Sequence, residues 1–179
     1  MALKIPDALA NLEANCGIYA LWMLFHHHGM QVDIDNLIKT TQYDDQEGTF
    51  TIALAIALKK FGFGVTFYTD EDPNIGEKEQ LMYVEAQKLQ IPILPELSYE
   101  QIQQAISQEK FVIVYYDTVD EVGNQSLVYS IDEHEICFFD SFEPMPVLLF
   151  ENQRNAEGIC RQAIVIDDEQ FQMSSTLKN

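Results

Sequence analysis

Positive charge is scarce in this 179-residue chain: Lys and Arg number 10 against 29 Asp and Glu, a net charge of −19. A surface of that sign repels phosphate backbones, so no nucleic acid is expected as a partner, and any charge-steered ligand is a basic peptide or protein. Cysteine is also sparse. Cys16, Cys137 and Cys160 are odd in number and too widely spaced for a disulfide framework or a zinc knuckle, which predicts a reducing, cytoplasmic setting of bacterial type. No basic stretch followed by an apolar one opens the sequence as a signal peptide would. The longest apolar runs, residues 17–25 and 51–58, fall short of the roughly 20 residues a membrane span needs.

Metal and phosphate signatures are missing as well. The histidines at 26–28 point about 100° apart on a helix and cannot converge on one ion. Asp33, Asp35, Asp44 and Asp45 lack calcium-loop spacing. The "GFG" at 62–64 ends a helical pattern, where a phosphate loop would start one. No metal and no cofactor is expected.

What is present is globular: 47% hydrophobic and 11% aromatic residues, enough for one core. The patterning predicts a single domain over 1–167 and a loose tail over 168–179. Helices are expected at 16–28, 35–41, 51–60 and 75–89, and from the Ser98/Gln101 capping box to about residue 108. Beyond that the periodicity changes, with strands at 111–117, 126–131, 135–142 and 160–167, a short strand at 146–150 and a helical turn at 151–157. Helices first and antiparallel strands second is the α+β pattern.

The chemistry-bearing feature is Cys16 at a helix head. Asn15 before it is a good N-cap. A thiol there lies beside unpaired backbone N–H groups and the positive end of the helix dipole, which favour thiolate and can hold an oxyanion. Gly17 leaves room for a substrate to approach the backbone. A buried core cysteine is the plain alternative.

The stretch "NCGIYALWMLFHHHG" resembles the opening helix of the bacteriocin-processing, double-glycine leader peptidases, which are papain-like cysteine peptidases. "GTFTIALAIALKKFGFGVTF" resembles that family's second helix and strand, "EQIQQAISQEKFVIVYYD" its next helix and strand, and "QSLVYSIDEHEICFFDSF" its His-bearing hairpin ending in Asp. The resemblance implies a papain-like α+β fold, a central helix packed on an antiparallel sheet, with Cys16 as nucleophile and Asp140 as the acid that orients a base. A hairpin loop centred on Glu133–His134 puts Leu127 opposite Asp140, with Gln125 and Asp140 diagonal on one face, roughly 7–8 Å apart at Cα. The family's histidine therefore falls at 125, where this chain has Gln125, which has no ionisable nitrogen near neutral pH. The family's oxyanion glutamine falls at Asn11 or Ala10, and Asn11 and Asn15 are the candidate amide donors. Tyr129 shares the Gln125 face and is expected to line the cleft.

Three functions follow as expectations. The first is a degenerate or weakly active leader-peptidase-like protein that binds a peptide around Cys16, with basic peptides the ones its charge would attract. The others are a working thiol hydrolase or acyl-transfer enzyme, and an acidic interaction module. The sequence leaves oligomeric state open.

Overall fold

The computed structural model describes residues 4–120, 122–141, 143–169 and 171. The lead-in carries one helical turn, α1 (Asp7–Ala10), unmarked by any hydrophobic period in the sequence. Helix α2 (Cys16–His27) is nearly all apolar, and eight of its twelve residues are buried. It stops where Gly29 takes φ +66°, a conformation glycine adopts without strain. Helix α3 (Ile34–Thr41) starts under Asp33, whose carboxylate accepts the Asp35 N–H at 3.1 Å. Helix α4 (Thr51–Lys60) is buried over its first eight residues. Strand β1 (Gly64–Tyr68), helix α5 (Glu77–Lys88) and strand β2 (Ile93–Leu94) follow. Helix α6 (Tyr99–Ser107) begins with both halves of the expected capping box, Ser98 and Gln101. Then come β3 (Phe111–Asp117), β4 (Gly123–Ile131), β5 (Glu135–Phe138), β6 (Met145–Pro146), helix α7 (Val147–Arg154) and β7 (Ala163–Asp167).

The seven strands form one sheet in the order β2-β1-β7-β3-β4-β5-β6. Among the described residues only the β1–β2 pairing is parallel. Alternation along the strands divides the core. Ile113, Leu127, Ile164 and Ile166 face α2, α3 and α4, while Val112, Val114, Val128 and Val165 face α6 and α7. This is the expected α+β arrangement, with two departures. Strand β1 lies between helices in the sequence, so helices and strands are less segregated than the pattern predicts. The segment read as a strand at 146–150 is helix α7, because Phe150 and Arg154, four apart, turn one face inward.

Arg154 is fully buried. Its guanidinium donates to the carbonyls of Leu97 at 3.0 Å and Arg161 at 3.3 Å and pairs with Glu151 at 3.2 Å. The tail expected over 168–179 lies outside the described residues apart from Asp168, Glu169 and Phe171. Phe171 stacks on Phe63 with ring centres 4.0 Å apart. No helix among the described residues is long and apolar enough to cross a membrane.

Candidate active site

Helix α2 points its first residue, Cys16, at the start of β4. The thiol donates to Oε1 of Gln125 at 3.6 Å. Burial pushes the thiol pKa up from its ordinary value; contacts with Gln125 and the Gly17 N–H pull it partly back, and the nearby Asp140 carboxylate adds to the rise. The helix-head position therefore does not produce the thiolate that dipole reasoning alone predicts. Desolvation outweighs it.

Gln125 is 3% exposed, and its amide is fully used. Nε2 donates to the Thr49 carbonyl at 2.8 Å and Thr51 Oγ1 at 3.0 Å, and Oε1 accepts from Thr49 Oγ1 at 3.3 Å as well as from the thiol. Two donors and two acceptors are all a carboxamide offers. The side chain thus ties β4 to the start of α4 while closing over Cys16.

The hairpin departs from the simple register. Ile131 faces Ile136 and Ser130 faces Cys137 as expected, but a bulge at Tyr129 shifts the pairing so that Val128 faces Phe138. One residue of slip brings Ser126, in place of Leu127, to Asp140, and Ser126 Oγ donates to Asp140 Oδ2 at 2.8 Å. Since the Ser126 proton goes to Asp140, the Tyr116 hydroxyl, 3.0 Å away, donates to Ser126. Asn124 Nδ2 donates to both hydroxyls, at 2.8 and 3.0 Å. The network converges on the carboxylate. Burial raises the Asp140 pKa, and the Ser126 and Asn124 donors oppose that rise.

Cys16 stands between two cavities. One, about 400 Å³, is lined by Ala10, Asn15, Tyr19, Asn124 and Asp140 among others. The other, about 350 Å³, is lined by Ala14, Glu47, Tyr115, Gly123 and Gln125 among others. The structure thus brings Cys16, Asn15, Gln125 and Asp140 to one place. Four other expectations are corrected. Asn11 is exposed at the end of α1, and Ala10 is the one that faces the cleft. The space over the Gly17 α-carbon is occupied by the protein itself: a Cβ there would overlap Thr49 Oγ1 and lie 2.5 Å from Gln125 Oε1, so the missing side chain makes room for these two residues. Tyr129, at the bulge, is 65% exposed and packs edge-on against Phe139, outside both cavities. Asn15 holds the N-cap position, but its amide donates to the Leu9 carbonyl at 3.0 Å instead of capping α2.

Thr49, Thr51, Tyr115, Tyr116, Asn124 and Ser126 were not anticipated. Their signal was the polar triplet Asn124-Gln125-Ser126 entering a buried strand, since buried polar groups need partners. No histidine reaches the site. His26 lies about 15 Å along α2 from Cys16, and His134 is exposed at the hairpin tip. As built, the arrangement can hold a ligand beside a neutral thiol, but among the described residues it offers that thiol no imidazole, and the Asp140 carboxylate beside it is already hydrogen-bonded to Ser126.

A model of the peptidase C39 family matches residues 6–128, a span that holds Cys16 and Gln125 and stops before Asp140. None of the curated proteins matches the sequence. Among solved structures, the chain is similar to the peptidase domain of Streptococcus ComA, a bi-functional ABC transporter involved in a quorum sensing pathway. The identity is 15% and the TM-score 0.54, over 92% of this chain and 96% of that one.

Proposed function

Because the chain belongs to the peptidase C39 family and has its papain-like α+β fold, we propose that it is a leader-peptidase-like protein that binds peptide around Cys16 with its hydrolytic chemistry weakened or lost. The observation that carries this reading is the Cys16–Gln125 contact, in which the thiol meets an amide where a base is required. The raised thiol pKa supports it, as does Ala10, which has no side-chain amide to offer an oxyanion. The two cavities on either side of Cys16, which share Asn15, Cys16 and Asn124 in their walls, supply room for an extended chain.

The test is retention of a library of short synthetic peptides on immobilised protein, with the eluate read by mass spectrometry. Peptides are retained uncut, Cys16→Ala leaves them uncut and retained, and a bulky Asn124→Trp, placed in the wall shared by both cavities, abolishes retention. Cleavage that vanishes in Cys16→Ala would establish the thiol hydrolase instead. Retention that survives Asn124→Trp but collapses in salt would leave an acidic surface as the binder.

A further inference from the structure

A cavity of about 150 Å³ shares Glu47, Thr49, Tyr115 and Gln125 with the space flanking Cys16, and its far wall holds Asp72, Glu79 and Gln162. At about 30 Å³ per water it has room for roughly five. That is well below the ~300 Å³ and upward of ordinary small-molecule sites, so it matches one long side chain.

Its inner groups are acceptors in want of a donor. Glu79 is half-buried, burial raises its pKa, and it accepts one hydrogen bond among the described residues, from Gln162 Nε2 at 3.3 Å. Gln162 is itself only 5% exposed, and its Oε1 accepts none from any described residue. No Lys or Arg lines the cavity. Lys78 reaches Glu47 at 3.5 Å from outside, where both side chains are exposed. A partly desolvated carboxylate with no basic side chain lining its cavity and an amide carbonyl with no donor among the described residues are both satisfied by the same ligand group, a cation carrying N–H.

We propose that this cavity is the subsite for a lysine or arginine side chain of a peptide lying across Cys16, with Glu79 as its ion-pair partner and Gln162 Oε1 as an acceptor. The inference rests on the peptide-binding reading above and adds the side chain that the groove selects. The strong acidity of the chain steers such peptides inward, while the cavity fixes which residue of the peptide is read.

Synthetic peptide arrays that vary one position at a time test it. Lys or Arg at one position raises retention at least tenfold over norleucine or citrulline, the neutral side chains of matching length. Glu79→Gln brings that ratio close to one, and Asp72→Asn lowers it if the first variant does not fold. Glu133→Gln, at the distant hairpin tip, leaves the ratio intact. Peptide retention without a basic preference, or a preference undiminished in folded Glu79→Gln, overturns the subsite and leaves the peptide groove standing. No retention by the unaltered chain overturns both.

Discussion

Replacing Gln125 by histidine puts the missing imidazole against Cys16. Gln125 makes four hydrogen bonds: two given, to the Thr49 carbonyl and Thr51 Oγ1, and two accepted, from Thr49 Oγ1 and the thiol. Imidazole has two nitrogens, so about two of the four are lost, each worth ~1 kcal/mol or somewhat more where a buried partner is left unpaired. The expected destabilisation is about 2–3 kcal/mol, and for a chain of this size each kcal/mol lowers Tm by about 2–4 °C. The variant should therefore melt roughly 4–12 °C below the parent and remain folded. A positioned general base contributes about 10²–10⁴ in rate. Asp140 is held by Ser126 and does not orient the new ring, so the gain belongs at the lower end, about 10²-fold. The assay is hydrolysis of an activated ester, with the Cys16→Ala/Gln125→His double variant as blank. The gained activity should appear as pH rises through about 6.5, where imidazole loses its proton, a limb the parent lacks. A folded Gln125→His protein whose Cys16-dependent rate equals the parent's would refute the placement of the base.

Other expectations are simpler to check. Cys16, held neutral by burial, reacts slowly with iodoacetamide at pH 7 and accelerates only above its ordinary pKa of 9.0; rapid labelling below pH 7 would contradict this. Gly17→Ala forces a methyl into Thr49 and Gln125 and destabilises by about 1–3 kcal/mol in urea titration, and a neutral result would mean that the contact is looser than it looks. The Asp140 pKa is raised on folding, so its contribution to stability is fully present below 3.8 and is lost as pH rises through the folded value. Asp140→Asn is accordingly at least as stable as the parent at pH 7, and that advantage disappears near pH 3.5; a deficit confined to pH 7 would reverse the sign. Arg154→Ala leaves the Leu97 and Arg161 carbonyls without their buried donor and costs about 2–5 kcal/mol by thermal melting.

Much of the architecture was legible because it depends on local signals. The apolar helix from Cys16, the Ser98/Gln101 box and the β-branched and aromatic run at 111–116 each specify an element without reference to anything distant. The site was less legible for the opposite reason. One bulge at Tyr129 slides Ser126 opposite Asp140, and bulges leave no mark in a period-two pattern. Dipole reasoning about Cys16 was local too, and it lost to desolvation, which is set by how the whole fold closes over the thiol. Gly17 looked like a gap for substrate because its neighbours Thr49 and Gln125 are 32 and 108 positions away. Helix α7 was misread because its inward face, Phe150 and Arg154, includes a buried cation that hydropathy scores as surface.

The place of β7 in the sheet governs the order in which the chain can be completed. All five of its residues pair with β1 and four of them with β3, two strands that meet nowhere else in the sheet. A nascent chain that has emerged as far as residue 154 carries two separate half-sheets, each with a raw edge. Residues 163–167 are the keystone that joins them, so synthesis must pass that point before the halves lock, and until then both edges stand open to a chaperone or to each other's mispairing.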